Sequence, residues 1–225
     1  MNCLDDMQFF TFIGQTGSGK TELSVNWAIK LAHTQKKRVC FFDMDQTKGL
    51  FRARDLRDEL SKHGVIVFDT VEFQDSPIVP TGVNSALDDP DNLCVFDVGG
   101  NAIGTRMIGQ YSQQLRKGLY FFVMNPNRPF FDTAEDIQSS LASIMQAGRI
   151  PESQLMLISN PCMGRLTTPE SVLADHRRLV SLLEPLGKAP TALTVESKLY
   201  HAVQDRATCP VYPIELYIKK LYKIM

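Results

Sequence analysis

Short apolar runs alternate along the chain with longer amphipathic stretches, and the two patterns predict different elements. Apolar runs of about four to eight residues are typical of strands buried on both faces, whereas an apolar repeat of about 3.6 residues is typical of helices. We therefore predict seven strands, at residues 9–13, 39–43, 65–68, 93–96, 119–124, 155–159 and 191–195. The helical pattern covers residues 20–32, 133–147, 170–183 and 198–206.

The alternation of strands and helices predicts the fold class. Strands that are separated by helices pair in parallel, and the helices then cover both faces of the sheet. Two of the helices have start signals: Asp132-Thr133-Ala134-Glu135 resembles a capping box, and Thr168-Pro169-Glu170 places a proline in the first turn. No internal repeat and no Gly/Ser-rich linker divides the chain. We predict a single domain over residues 1–225, with a three-layer, doubly wound α/β fold and a mainly parallel sheet.

A glycine-rich loop follows the first predicted strand. It reads Gly14-Gln15-Thr16-Gly17-Ser18-Gly19-Lys20-Thr21 and satisfies the phosphate-binding pattern G-x-x-x-x-G-K-[ST]. Backbone N–H groups of such a loop converge on phosphate oxygens, and the helix that begins at Lys20 adds the positive end of its dipole. Lys20 is expected to reach the β- and γ-phosphates, and the Thr21 hydroxyl to bind Mg²⁺. The alternative is a glycine-rich turn that only happens to precede a helix.

Two further strands end in carboxylates. The run at residues 93–96 ends in Asp97, as a Walker B strand does, and Asp97 is expected to hold a water on Mg²⁺. Gly100, which follows closely, leaves a backbone N–H that can approach the γ-phosphate. The second strand ends in Asp43 and Asp45, at the edge of the sheet where α/β proteins bind ligands. One of these two acids can orient an attacking water; the alternative is a solvated turn that caps a helix.

The order of these motifs resembles the MinD/ParA-type ATPases of the SIMIBI class of P-loop NTPases. The resemblance rests on the loop, the D-x-D strand end, Phe96-Asp97-Val98-Gly99-Gly100, and Leu157-Ile158-Ser159-Asn160. It implies ATP and Mg²⁺ as cofactors, slow hydrolysis, and a nucleotide-driven switch that acts on a protein partner. It also implies that Asp45 positions the water and that Asn160 hydrogen-bonds the adenine edge. The catalytic residues would then be Lys20, Asp45 and Asp97.

One position departs from that family. Most MinD/ParA-type loops carry a second lysine directly after the first glycine, and this lysine reaches across a dimer to the partner's nucleotide. Gln15 occupies that position here and cannot neutralise charge. The hypothesis is therefore that the protein binds and hydrolyses ATP without an obligate sandwich dimer. A nucleotide-dependent homodimer stays open as an alternative.

A second family has the same sequence pattern in this loop. The urease and hydrogenase maturation GTPases resemble this chain at G-x-x-G-S-G-K-T, and they need a guanine-reading N-K-x-D and metal-binding Cys or His residues. The corresponding strand here ends Asn160-Pro161-Cys162-Met163, without the aspartate. The histidines are scattered, at His33, His63, His176 and His201. A metallocentre-maturation GTPase is the second functional alternative.

The composition bears on which partners the protein can bind and in which cellular compartment it is expected. The chain has 24 Lys and Arg against 25 Asp and Glu, a net charge of −1, so coating of nucleic acid by bulk charge is not favoured. Its five cysteines form no C-x-x-C pair, which indicates a reducing compartment. The amino-terminal residues lack the pattern of a signal peptide, and no long apolar run could span a membrane. We expect a cytoplasmic protein.

Two surface segments could meet partners. Residues 213–225 are predicted to form an amphipathic helix that either binds a membrane or, as we favour, docks on the sheet. A basic cluster formed by Arg52, Arg54 and Arg57 could contact an acidic partner or DNA, and the alternative is a solvated helix face. Residues 72–91 are predicted to be a surface loop.

Overall fold

A parallel sheet is the centre of the molecule. The computed structural model describes residues 7–45, 56–68, 82–100 and 102–218. Within these ranges the sheet has eight strands. They are β1 (Phe9–Ile13), β2 (Arg38–Met44), β3 (Val65–Phe68), β4 (Asn92–Val98), β5 (Gly118–Met124), β6 (Leu155–Ser159), β7 (Ala192–Glu196) and β8 (Val211–Ile214).

The strand order places β1 near the middle of the sheet. The order is β3-β2-β4-β1-β5-β6-β7-β8, and every pairing among these strands is parallel. The chain therefore extends the sheet to one side of β1 and then to the other. Such a reversal opens a crevice at the carboxyl ends of the strands, where α/β proteins bind ligands. The glycine-rich loop leaves β1 at that crevice.

Helices cover both faces of the sheet. On one face, α1 (Lys20–Thr34) and α2 (Arg57–Lys62) pack against residues such as Phe10 and Phe12 of β1. The opposite face meets α3 (Val83–Asp88), α4 (Ala102–Gly109), α5 (Ala134–Gly148) and α6 (Pro169–Leu183). The short α7 (Tyr200–Val203) packs beside α6 over β7. Alternate side chains of each central strand thus enter two cores, and the predicted three-layer α/β fold of P-loop NTPase type is confirmed.

Local signals explain where the two long helices of the second half begin. Thr133 caps α5, since its Oγ1 accepts a hydrogen bond from the backbone N–H of Asp136 at 3.1 Å. The capping pair is therefore Thr133 with Asp136, one residue later than the sequence indicated. Thr168 and Ser171 form a reciprocal capping box at α6, and Pro169 occupies the first turn as predicted.

Several predicted boundaries were wrong. Pro213 and Ile214 belong to the edge strand β8 rather than to a helix, because proline is tolerated in a strand that lacks a neighbour on one side. The predicted loop at 72–91 contains α3, whose Val83, Ala86 and Leu87 are buried. The short helix α4 was not predicted, whereas α2 begins at Arg57, where a solvated helix face was one of the two alternatives. Only Tyr200–Val203 of the predicted helix at 198–206 is α-helical, and 3₁₀ turns flank it.

Parts of three predictions lie outside the described residues. These are Arg52 and Arg54 of the basic cluster, residues 72–81 of the predicted surface loop, and residues 219–225 of the amphipathic segment. Arg57 is the first residue of α2. The preceding residues 215–218 are joined to α1: the Asn26 side chain exchanges two hydrogen bonds of 2.8 Å with the backbone of Glu215, and the Glu22 carboxylate accepts the N–H of Ile218 at 3.2 Å. No helix among the described residues is long and apolar enough to cross a membrane.

Candidate functional site

The glycine-rich loop curls between β1 and α1 because three of its glycines adopt positive φ. These are Gly14 at 133°, Gly17 at 78° and Gly19 at 100°. A side chain would also clash at two of them, since a Cβ on Gly14 would meet the Val123 carbonyl and one on Gly19 would meet the Asn160 amide. Only glycine combines this backbone with such close approach. The loop is therefore seated against β5 on one side and β6 on the other.

Lys20 and Thr21 face the inside of the loop. Lys20 is 2% exposed, and its Nζ donates a hydrogen bond of 3.0 Å to the backbone carbonyl of Gln15. The Thr21 hydroxyl donates to Oδ2 of Asp97 at 2.6 Å. The structure thus brings the Walker B carboxylate, 76 residues away in sequence, to the threonine that follows Lys20.

Two more carboxylates join Asp97. Asp43 lies directly opposite Asp97 on the neighbouring strand, and it accepts the backbone N–H of Asp45 at 3.1 Å. All three acids are at most 4% exposed. The Asp45 carboxylate also approaches the Walker B turn, since its Oδ1 lies 3.3 Å from where a Cβ on Gly99 would stand. The D-x-D strand end and the Walker B strand therefore form one acidic site beside the loop.

This donor set fits Mg²⁺. A hydroxyl and a carboxylate are hard oxygen donors, and Mg²⁺ in nucleotide sites takes one or two such ligands together with waters and phosphate oxygens. Among the described residues no group of three or more His, Cys, Asp and Glu side chains is arranged to hold a metal by itself. Thr21 and Asp97 would accordingly hold the ion with the help of the nucleotide.

The Walker B turn, which we define as residues 97–100, packs directly on the loop. A Cβ on Gly100 would stand 2.6 Å from the backbone nitrogen of Thr16. The Thr16 hydroxyl donates a long hydrogen bond of 3.4 Å to the Gly100 carbonyl. On its other side the turn meets α4, where a Cβ on Gly104 would stand 2.8 Å from Cα of Gly99. Three glycines thus let loop, turn and helix stack without side chains between them.

Asn160 lies at the end of β6 and is 3% exposed. Its Nδ2 donates to the Ser18 carbonyl at 2.8 Å, and its Oδ1 accepts from the Thr194 hydroxyl at 2.9 Å. The side chain therefore holds the loop to β6 and β7, a role that the sequence pattern did not indicate. One N–H and one lone pair of the amide remain for another partner.

A second turn lies beside the loop, and sequence reasoning assigned it no role in the site. We call residues 125–128, which follow β5, the anchor turn. The Asn125 side chain accepts the N–H of Asn127 at 3.0 Å and donates to the Cys162 carbonyl at 3.0 Å. The Asn127 side chain donates to Asp175 of α6 at 2.7 Å, and the Arg178 guanidinium donates to the Pro126 carbonyl.

The anchor turn also closes on itself and presents a cation to the loop. The backbone N–H of Arg128 donates to the Asn125 carbonyl at 3.0 Å. The Arg128 side chain lies over Gly17, with Nε 3.4 Å from the position of a Cβ on that glycine. The signal that could have found this turn is N-P-N-R directly after a parallel strand, since asparagine and proline favour turns at the ligand-binding edge.

A cavity of about 390 Å³ lies between the loop, the anchor turn and Asn160. Its polar lining includes Lys20, Thr21, Asn160 and Arg128. Its apolar lining includes Ile214, Leu216 and Ile218. A small-molecule pocket typically has this size and this combination of apolar side chains with a few polar groups.

A second cavity, of about 360 Å³, lies on the α1 face of the sheet. It is lined mainly by apolar side chains of α1 and β5–β8, including Trp27, Phe121 and Tyr212. It contains neither the loop nor the buried carboxylates.

Sheet order, loop geometry and the Thr21–Asp97 pair together define an α/β domain of the P-loop NTPase type. No protein-family model matches the chain, and no curated protein matches its sequence. Solved structures that it resembles include the signal recognition particle receptor FtsY from Elizabethkingia anophelis in complex with GDP. That likeness has 12% identity and a TM-score of 0.45, and it covers 91% of this chain and 55% of that chain.

FtsY from Mycoplasma mycoides is similar to the same degree. Its identity is 10% and its TM-score 0.44, over 95% of this chain and 64% of that chain. The chain thus spans between 55% and 64% of the length of these two solved structures. At such identities and TM-scores the likenesses carry no conclusion about what this chain does, and its fold class rests on its own sheet and loop.

Proposed function

We propose that the protein is a Mg²⁺-dependent ATP-binding protein and ATPase of the MinD/ParA type within the SIMIBI class. It would act as a nucleotide-driven switch that recruits or positions a macromolecular partner. The observation that carries the proposal is the glycine-built loop whose lysine lies inside it and whose threonine hydroxyl contacts a buried Walker B aspartate at 2.6 Å. A glycine-rich turn without a ligand would have no need for this convergence.

The residues of the site have separable tasks in hydrolysis. Backbone N–H groups of the loop and the Lys20 ammonium would bind the phosphates and neutralise their charge. Thr21 and Asp97 would hold Mg²⁺, which when bound supplies further positive charge to the phosphates. Asp45 would orient the attacking water, because its carboxylate lies beside Gly99 at the edge of the loop. Most of the catalysis would come from positioning and charge neutralisation rather than from covalent chemistry.

The packing of the Walker B turn supports a switch. Gly100 stands so close to Thr16 that any group entering between them must displace the turn. Because Gly104 of α4 packs equally closely on Gly99, a displaced turn would push on that helix. A γ-phosphate that binds the Gly100 N–H would in this way change the position of α4, and its loss would reverse the change.

The position of Gln15 supports a site that does not depend on a sandwich dimer. Its Nε2 donates to the Ser140 hydroxyl of α5 at 2.8 Å, so the side chain is turned into its own subunit. Light scattering of an Asp45→Ala variant, with and without ATP, tests this part of the proposal. We expect no tight ATP-dependent dimer, and a tight dimer would contradict it.

Calorimetry with Mg²⁺ and either ATP or GTP tests the central proposal. We expect ATP to bind more tightly, and Lys20→Ala to abolish binding because it removes the only described ammonium inside the loop. Lys36→Ala, an exposed lysine after α1, is the matched control and should bind as the wild type does. Tighter binding of GTP would favour the metallocentre-maturation alternative. Absence of binding of both nucleotides at millimolar concentration would refute the proposal.

A further inference from the structure

The guanidinium of Arg128 lies over the glycine-rich loop although it is far from it in sequence. Its Nε, Cδ and Cζ atoms are 3.4, 3.6 and 3.8 Å from where a Cβ on Gly17 would stand. Arg128 lines the same cavity as Lys20, Thr21 and Asn160. We propose that Arg128 is a second cation of the phosphate site and contacts the phosphate chain of a nucleotide bound in its own subunit. This inference rests on the proposed function.

The backbone that carries Arg128 is fixed before any ligand binds. The anchor turn is closed by the Arg128 N–H and by the Asn125 side chain, and it is tied to α6 through Asn127 and Arg178. A cation on a braced turn needs less ordering when a ligand arrives than a cation on a loose loop does. The anchor turn therefore holds the backbone of Arg128 beside the loop in the absence of a ligand.

A nucleotide would add its negative phosphates to a site that already contains buried carboxylates. Asp43, Asp45 and Asp97 are three buried carboxylates at one edge of the site. The position that carries a second lysine in the resembling family is Gln15, whose amide is directed to Ser140. A phosphate chain adds more negative charge to this edge. Arg128, on the anchor turn after β5, would add a second positive charge to that of Lys20.

The side chain of Arg128 is available for this contact. It is exposed, and within the described part of the chain it makes no ion pair and no hydrogen bond. Asp175, the acidic side chain that is hydrogen-bonded to the anchor turn, accepts its hydrogen bond from Asn127. A planar guanidinium can donate two parallel hydrogen bonds to a phosphate, which an ammonium cannot do in the same geometry.

The first test compares Arg128→Gln with the wild type by titration with three ligands. These are a non-hydrolysable ATP analogue, adenosine, and inorganic tripolyphosphate, which has no base. We expect the variant to bind the analogue and tripolyphosphate about 10- to 100-fold more weakly, the range for one charge-assisted hydrogen bond or pair, and adenosine equally. Arg128→Lys keeps the charge and should recover part of the affinity.

Arg116→Gln is the matched control, because Arg116 is an exposed arginine near the opposite end of β5. It should bind all three ligands as the wild type does. A weakened analogue with unchanged tripolyphosphate would mean that Arg128 contacts the base, and would overturn the inference. Unchanged binding of every ligand to Arg128→Gln, with the wild type binding normally, would overturn it and leave the proposed function standing.

The second test separates action in the same subunit from action on a partner subunit. Arg128→Gln keeps an intact loop, and Lys20→Ala keeps an intact arginine. If Arg128 serves its own loop, an equimolar mixture of the two variants shows only the weak affinity of Arg128→Gln. Recovery of wild-type affinity in the mixture would show that the arginine reaches another copy, and would overturn the inference. Should the wild type bind neither nucleotide nor tripolyphosphate, the proposed function and this inference both fall.

Discussion

The two turns that flank the glycine-rich loop are held in different ways. The Walker B turn meets the loop at Asp97, which accepts the Thr21 hydroxyl at 2.6 Å, and at Gly100, which lies against Thr16 with a hydrogen bond of only 3.4 Å. The anchor turn is held by hydrogen bonds to its own backbone, to the Cys162 carbonyl and to α6. At Gly100 the first contact is mainly steric, whereas the second is a network of directional bonds among the described residues.

This difference assigns different mechanical tasks to the two sides. The contact at Gly100, with its one long hydrogen bond, can be lost and regained at small cost, whereas a network must break several bonds before it moves. The Walker B side is therefore suited to respond to the ligand, and the anchor side, which includes Asn160, to hold the loop and Arg128 in place. Substitutions on the first side should change turnover more than stability, and those on the second side should do the reverse.

The largest expected effect is on the Walker B side. Asp45→Ala should keep nucleotide binding and lower turnover about 10²- to 10⁴-fold, because it removes the carboxylate that would orient the water. Steady-state phosphate release and calorimetry measure the two quantities. Asp58→Ala, on the exposed face of α2, is the control and should hydrolyse normally. Normal turnover in Asp45→Ala would show that a different residue positions the water.

On the anchor side we expect stability to fall first. Asn160→Ala would remove the side-chain donor of the buried Ser18 carbonyl, and an unsatisfied buried group costs about 1–3 kcal/mol. It would also leave the Thr194 hydroxyl with only its longer hydrogen bond, of 3.3 Å, to the Ser159 carbonyl. Urea denaturation without ligand should show this loss. Thr194→Val removes one of the two bonds and should cost less. Equal stability of Asn160→Ala and the wild type would contradict the bracing role of this amide.

A smaller change in stability is expected at Gly100. A Cβ there would approach Thr16 at 2.6 Å, but the turn can shift away, so we expect Gly100→Ala to lose about 1 kcal/mol, the low end for an overpacked site. Turnover should fall at least about tenfold, because the added methyl occupies the position from which the turn senses the ligand. If stability falls by more than in Asn160→Ala while turnover is retained, the assignment of tasks to the two sides is reversed.

The sequence predicted the Walker B side better than the anchor side, for a physical reason. The loop glycines and Lys20 follow a pattern of fixed spacing, and Asp97 directly follows an apolar run, so the letters of the sequence identify them as candidates. Asn125, Asn127 and Arg178 act through contacts between residues that lie 37 to 52 positions apart, and no local period encodes such contacts.

The elements of the fold also differ in how well the sequence predicted them. Seven strands were predicted because buried parallel strands are continuous apolar runs, and three of them have the predicted bounds. The edge strand β8 was missed because Val-Tyr-Pro-Ile is short, half exposed and interrupted by proline. Helices α2, α3 and α4 have six to eight residues, too few for a helical period to be visible.

The smallest expected effect is a pH dependence of the free energy of unfolding, caused by a buried histidine that packs beside the anchor side. His176 on α6 is 1% exposed, and its Nδ1 lies 3.1 Å from the hydroxyl of Ser159, the residue before Asn160. Its Nε2 lies 3.0 Å from the Thr208 hydroxyl and 3.7 Å from the Cys209 sulfur. Burial, and secondarily the charge of Arg177, lower the pKa of this imidazole below its ordinary value.

A lowered pKa makes the folded protein hold this proton less tightly than the unfolded chain does. The stabilising contribution is therefore complete above the unfolded pKa of about 6.5, and it is lost as the pH falls from there through the folded pKa. Over that window the free energy of unfolding should fall by at most about 1.4 kcal/mol per pH unit for one proton. The free energy of unfolding should be measured for the wild type and for His176→Gln by urea denaturation from about pH 8 to pH 5. The difference between the two at each pH gives the contribution of His176, separated from that of the carboxylates.

His201→Gln is the control, because His201 is exposed on α7, and it should keep the wild-type slope. If His176→Gln also keeps that slope, the buried imidazole does not set the pH dependence. If the slope disappears, acid should loosen Ser159 and its neighbour Asn160 before it affects the Walker B turn. Hydrogen exchange at pH 5.5 would then show earlier opening of β6 than of β4, which would extend the difference between the two sides from ligand response to acid response.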